Sequence, residues 1–245
     1  MTSRPPISLA FGPGAGKTRK GPPRARIGRN HRREGIGRKM ARRLKKGLLI
    51  VLEGIDGAGK STQCERLAER LRGEGWDVER LREPTDGPWG RRIRELARSG
   101  REDVSPREEL DLFLEDRRQH VRERIAPALE RGAIVLMDRY YYSTIAYQGA
   151  RGLDPTEIRG LNEVFAPPAD VLFYLTIPAE WAGRRIEQQR GDQRDLFEKE
   201  DYLRRVKAEF DAMTDPQMVR IDATADADAV FAALWQALEP RLAVE

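Results

Sequence analysis

The residues best equipped for chemistry lie in one run, Glu53-Gly54-Ile55-Asp56-Gly57-Ala58-Gly59-Lys60-Ser61-Thr62. It contains G-x-x-x-x-G-K-S. Glycines let a backbone curl until successive N–H groups point at one anion. A helix beginning there adds a partial positive charge. Lys60 brings a full charge to the outer phosphates of a nucleotide, and the Ser61 hydroxyl is a ligand for Mg²⁺. Asp56, inside the loop, has the reach to accept from a sugar hydroxyl or to approach the metal. The bland reading is a glycine-rich turn with no ligand. Context argues against it, because the aliphatic run Leu48-Leu49-Ile50-Val51-Leu52 comes first and Leu67, Ala68 and Leu71 follow at helical spacing. A strand–loop–helix junction is the setting in which this motif holds phosphate.

The elements that must position the loop alternate along the chain. Strands are expected at 48–53, 77–82, 134–138, 171–176 and 218–221. Helices are expected at 60–73, 89–98, 105–131 with a bend near Pro127, from Ser143, 155–165, after Pro178, 198–213 and 226–242. Ser105-Pro106-Arg107-Glu108 reads as an N-cap, a first-turn proline and an acidic start. The alternation implies an α/β fold, a five-stranded parallel sheet with helices on both faces.

Ligands of open parallel sheets sit at the carboxyl ends of the strands. Arg82 ends the second strand, and Asp138-Arg139 ends the third. An acid at that place suits a Mg²⁺-organising carboxylate; the bland alternative is a turn acid. Arg139 calls for an anionic partner if buried. Phe113 and Arg117 stand four apart on one helix face, so they can hold a flat heterocycle by stacking and by paired hydrogen bonds. Phe113 is also an ordinary core residue type. Tyr140, Tyr141, Tyr142 and Tyr147 supply material for an aromatic wall, with at least one of them given to packing.

The net charge of +5 conceals an asymmetry. Residues 1–46 carry +14 and the remainder −9, so the folded part has no bulk electrostatic reason to bind nucleic acid. The first segment is rich in Gly, Pro and Arg and poor in apolar residues, so 1–46 is expected to be a disordered basic tail and 47–245 the folded domain. Three readings of the tail stand: an arm for nucleic acid or another anionic surface, a targeting segment, or sequence ahead of a true start at Met40. The last is favoured, since Met40-Ala41-Arg42-Arg43-Leu44 leads straight into the first strand. Gly12-Pro13-Gly14-Ala15-Gly16-Lys17-Thr18 imitates a phosphate loop, but Phe11 replaces its first glycine and no strand or helix flanks it. No apolar run reaches the roughly 20 residues of a membrane span. A lone cysteine, Cys64, excludes an internal disulfide, suits a reducing cytoplasm, and reads as a packing residue.

Taken together, the loop, Arg82-Glu83-Pro84, Phe113 through Arg117, and Asp138-Arg139-Tyr140 with Ser143, Ala146, Tyr147 and Gln148 resemble the signature of thymidylate kinases. The resemblance spans about 48–240. It implies a three-layer P-loop NTPase fold, transfer of the γ-phosphate of ATP to dTMP with Mg²⁺, and a homodimer. It further implies that Gly54, Ile55, Asp56, Gly57, Ala58, Gly59, Lys60, Ser61 and Thr62 cradle ATP, with Ser61 and Asp138 toward the metal. Arg82 and Arg139 would hold the dTMP phosphate and Asp56 the deoxyribose region. Phe113 would stack on thymine and Arg117 would hydrogen-bond it. Thr144 and Gln148 would lie along the nucleotide, with Tyr147 near the sugar, disfavouring a 2′-OH. Lys60, Arg139, Asp138 and the arginines Arg190 and Arg194 of a charged lid at about 187–197 would serve the transfer, with Arg185 as another basic residue of that region. The sequence departs from the family pattern where Leu114-Glu115-Asp116 replaces small residues and where Arg194-Asp195 reverses the lid's usual order. Glu115 motivates one alternative, a P-loop kinase of another nucleotide or of a nucleoside. The basic tail motivates a second, a nucleic-acid-binding P-loop protein.

Overall fold

The computed structural model describes residues 41–99, 104–190 and 196–242. The strands are β1 (Leu48–Glu53), β2 (Val78–Arg82), β3 (Ile134–Asp138), β4 (Val171–Thr176) and β5 (Met218–Asp222). All pair in parallel, in the order β2-β3-β1-β4-β5. Parallel sheets covered on both faces demand apolar residues at consecutive positions. The three inner strands comply: Ile50, Val51, Leu52, Val135, Leu136, Leu172 and Phe173 are fully buried. The edge strands β2 and β5 each bury one residue in five, which is why their sequences read as charged. Register matters more for function. Leu52 of β1 and Arg82 of β2 both pair with Asp138, so the carboxyl ends of three strands finish level.

The helices are α1 (Lys60–Gly73), α2 (Pro88–Ser99), α3 (Pro106–His120), α4 (Ala126–Glu130), α5 (Tyr141–Gly149), α6 (Pro155–Glu163), α7 (Ala179–Arg190), α8 (Leu196–Ala212) and α9 (Ala227–Leu242). Helix α1 packs on β1, β2 and β3 beside α9, while α5 is enclosed by α3, α6 and α8. At the start of α3, the Ser105 hydroxyl accepts from Glu108 N at 3.2 Å and Glu108 accepts from Ser105 N at 2.9 Å, a reciprocal cap. The bend expected at Pro127 is a π turn, Val121–Ile125, joining α3 to α4. Pro127 offers no N–H and its ring crowds the preceding turn, so a wider turn ahead of it relieves both problems.

One boundary is corrected. Residues 41–46, assigned to the tail by composition, pack onto the domain. Arg42 N donates to Gly75 O at 2.7 Å, Asp77 N to Arg42 O at 2.9 Å and Leu44 N to Gly132 O at 2.9 Å, while the Arg42 guanidinium lies over the Trp76 ring. Backbone pairing and a cation over an aromatic face hold this stretch, and neither leaves an apolar signature. Residues 1–40, including the imitation loop at Gly12–Thr18, lie outside the described residues. Among the described residues no helix is long and apolar enough to cross a membrane.

Candidate active site

The phosphate loop joins β1 to α1. Gly54 has φ +140°, and a Cβ there would stand 2.6 Å from Leu175 O, so only glycine fits. Gly59, at φ +88°, occupies the N-cap of α1, and open space lies where its Cβ would be. The first turn, Lys60-Ser61-Thr62-Gln63, holds no acid. Its N–H groups therefore start the helix with no acid of that turn to cap them, which suits an anion. Loop residues line a polar cavity of about 470 Å³ together with Arg82, Arg94, Asp138, Arg139 and Arg185. A second cavity of about 250 Å³, lined mostly by apolar surface, adjoins it. Asp56, Glu83, Pro84, Arg94 and Arg139 line both, so the two adjoin along one wall and form a two-part hollow.

Lys60 is 5 % exposed, with Nζ donating to Gly54 O at 2.9 Å and Ile55 O at 2.8 Å. Burial pushes its ammonium down to about 8, helped by the positive charge of Arg139 and opposed by Asp56, Asp138 and Glu53. The Ser61 hydroxyl donates to Asp138 Oδ2 at 2.5 Å. These two oxygens, facing the polar cavity side by side, suit Mg²⁺, which prefers few protein ligands and completes its shell with phosphate oxygens and water. Among the described residues no group of three or more His, Cys, Asp or Glu side chains is arranged to hold a metal ion.

Arg139 stands at the shared wall. It is held at φ +70°, a conformation that costs a non-glycine residue roughly 1–3 kcal/mol. The surroundings over-determine it. Arg139 N donates to Leu52 O, and Glu53, with no exposed surface, accepts from Tyr140 N at 2.7 Å, Ser143 N at 3.0 Å and Ser143 Oγ at 2.5 Å. Burial raises the Glu53 carboxyl, with Arg139 and the Ser143 and Tyr140 hydrogen bonds opposing. The guanidinium of Arg139 donates to Ser143 Oγ at 2.8 Å, Asp56 Oδ1 at 2.5 Å and Tyr147 Oη at 3.2 Å. Burial would lower its pKa, yet Tyr147, Asp56 and Glu53 raise it well above the ordinary arginine value, so this cation is permanent. Arg82, by contrast, is largely exposed and pairs with Asp86 at 3.2 Å.

The second cavity gathers Phe113, Arg117, Thr144, Tyr147 and Gln148. Arg117, expected to hydrogen-bond a base, is also tied into the protein. It is 1 % exposed, its Nε donates to Glu83 at 2.8 Å, Nη1 to Asn162 at 2.6 Å and Nη2 to Thr144 Oγ1 at 3.0 Å, and it forms an ion pair with Glu83 at 2.6 Å. Most of its five N–H groups are thus engaged within the protein, and the residue lines the cavity. Burial alone would raise the Glu83 carboxyl, but Arg117 and His120 hold it below the usual range. The aromatic wall is smaller than the tyrosine run suggests. Tyr140 and Tyr147 line the cavity, whereas Tyr141 and Tyr142 stack on each other in the core, ring centres 4.2 Å apart. Glu115 is exposed, pairs with Arg118 and is not among the residues lining either cavity.

Residues lining the hollow that the sequence reading passed over are Arg94, Ile93 and Ala97 from α2, Glu109 from α3 and Tyr202 from α8. Glu109 carried a signal, since Glu109, Phe113 and Arg117 recur every fourth residue on one face. Arg94 had none among the arginines of α2. It donates to Pro84 O at 3.0 Å and Thr85 O at 2.6 Å, fastening the Arg82–Gly87 loop. Of the lid, α7 continues to Arg190, where a turn was expected. Arg185 donates to Gly57 O and Ala223 O at 3.2 Å each. The Arg190 side chain and Arg194 lie outside the described residues.

A family model described as thymidylate kinase matches residues 52–234. The chain belongs to the thymidylate kinase family. A thymidylate kinase of Akkermansia muciniphila is 50 % identical over 197 residues, covering 80 % of this chain and 94 % of that one. That of Desulfotalea psychrophila is 48 % identical over 184 residues, covering 75 % and 90 %. That of Xanthomonas campestris is 47 % identical over 202 residues, covering 81 % and 87 %. The matched span takes in the phosphate loop from Gly54 onward and every residue of the two-part hollow. It also encloses Cys64, fully buried, its thiol pushed up to about 12 by burial, which makes it a packing group within the family fold.

Proposed function

We propose that the protein transfers the γ-phosphate of ATP to dTMP, giving dTDP and ADP. The observation that carries this is the pair of adjoining cavities, one lined by the phosphate loop and one by an aromatic and a guanidinium, with Arg139 in the wall of both. ATP places its phosphates on the N–H groups of Gly57 to Thr62. The monophosphate lies between Arg82 and Arg139, and the base enters between Phe113 and Arg117. An oxygen of the monophosphate attacks the γ-phosphorus in line, and ADP departs on the opposite side. The attacking phosphate is already anionic, so no general base is assigned. Lys60, Arg139 and an arginine of the lid counter the charge on the transferring group. Mg²⁺, held by Ser61 and Asp138, would neutralise phosphate charge and orient it. Tyr147 Oη, which accepts from Asp56 N at 3.1 Å, is fixed where it meets the sugar of the acceptor and leaves no room for a 2′-hydroxyl. Arg190 and Arg194, whose side chains lie outside the described residues, are the arginines assigned to that role of the lid.

The same reading takes the protein as a homodimer in a reducing cytoplasm. With a single cysteine, the chain needs no oxidising compartment for an internal disulfide. A coupled assay of ADP formation with ATP and Mg²⁺ tests the activity against dTMP, dCMP, dAMP, dGMP and thymidine. Fastest turnover on dTMP is expected. Equal turnover on a purine monophosphate or on thymidine would reassign the acceptor.

A further inference from the structure

One carboxylate in the hollow has no part in binding phosphate. Glu109 is 1 % exposed on α3, one turn before Phe113 and two before Arg117. Its Oε2 accepts from Gln148 Nε2 at 2.9 Å and from a guanidinium N–H of Arg151. An oxygen that takes a guanidinium N–H is acting as an acceptor, so the amide facing it must present its NH₂. The polarity of the Gln148 amide is therefore set by chemistry. Its Oε1 is left as a buried acceptor with no hydrogen-bond partner among the described residues, on a side chain 2 % exposed that lines the base cavity. Such an atom is costly unless something donates to it. Arg117, in the same cavity, is donor only.

The cavity thus offers a fixed pair, a donor at Arg117 and an acceptor at Gln148. A pyrimidine with a carbonyl at C4 and hydrogen on N3 satisfies both. Cytosine meets the acceptor with the lone pair of N3 and the donor with an amino group, a mismatch at two positions. We propose that Glu109 is a positioning residue that sets this selectivity, by locking the Gln148 amide so that the site takes thymine or uracil and rejects cytosine. This rests on the reading of the cavity as the base site.

The readout is the ratio of kcat/KM for dTMP to that for dCMP at saturating ATP. In Glu109→Met, no acceptor faces Gln148, so its amide is free to turn over. The ratio is expected to fall about tenfold or more. The dTMP:dUMP ratio and the KM for ATP are expected to stay put, since both bases carry N3–H. A purely structural role for Glu109 would slow all acceptors together and leave the dTMP:dCMP ratio alone, which overturns the proposal. Glu109→Asp, which withdraws the carboxylate by one methylene, carries the same readout should Glu109→Met fail to fold. Gln148→Leu separates the two levels. If it abolishes the discrimination while folded Glu109→Met keeps it, the lock is wrong and the base site stands. If Gln148→Leu also keeps it, the base does not meet Gln148 and both fall.

Discussion

Replacing Arg117 with methionine keeps most of the side-chain volume and removes the charge at the centre of a buried network. Glu83 is then left with His120 at 3.1 Å as its one remaining ionic partner among the described residues, while Asn162 and Thr144 each lose a donor. Breaking a buried ion pair from one side costs about 3–5 kcal/mol. For a domain near 200 residues each kcal/mol corresponds to roughly 2–4 °C, so the melting temperature is expected to drop by roughly 6–20 °C. Denaturant titration of Arg117→Met, Glu83→Gln and the double variant gives the cycle. A coupling of roughly 0.5–3 kcal/mol is expected, with the double variant less destabilised than the sum of the singles. The pH dependence checks the sign. Glu83 is held below its usual 4.5, so its contribution is complete above that value and lost as pH falls through the lower folded value. Arg117→Met is expected to flatten this acid slope. A loss below about 1 kcal/mol, with no coupling to Glu83, would refute the reasoning.

Lys60→Ala is expected to lower kcat by orders of magnitude and leave the circular dichroism spectrum unchanged; near-normal turnover would contradict the phosphate assignment. Phe113→Ala is expected to raise KM for dTMP far more than KM for ATP, and equal effects would remove Phe113 from the base site. Because the Lys60 ammonium sits at about 8, ATP affinity is expected to weaken as pH rises past that value. Calorimetry in buffers of different ionisation enthalpy at pH 8.5 is expected to show proton uptake on ATP binding, and affinity flat to pH 9.5 would exclude it. Deleting residues 1–39 is expected to leave kinase turnover intact, measured by the same coupled assay.

The parts that proved legible are those written in local pattern. Apolar runs marked the inner strands because both faces of a parallel sheet are covered. The glycines and Lys60 marked the loop, and the i, i+4 pair Phe113–Arg117 marked two residues that line one cavity, because each signal is confined to a short stretch. Long-range partnerships were not legible. Arg117 reaches Glu83, Asn162 and Thr144 from 34, 45 and 27 positions away, and no local pattern declares such a link. Arg94 serves through its hold on a loop that precedes α2 by only a few residues, yet nothing distinguishes it from Arg91, Arg92 and Arg98. The segment 41–46 is fixed through main-chain groups, which every residue type possesses. Tyr140, Tyr141 and Tyr142 are consecutive, so the helix that begins at Tyr141 turns them in different directions and only the first reaches the hollow.

Direct binding of a dinucleotide that joins adenosine to thymidine through five phosphates tests the central claim, that one hollow receives a triphosphate and a monophosphate meeting at Arg139. Titration calorimetry is expected to give one site per chain, a Kd far below that of ATP or dTMP alone, and competition by each nucleotide. Affinity no better than that of ATP, with dTMP still binding alongside, would show that the two ends of the hollow do not face each other across Arg139.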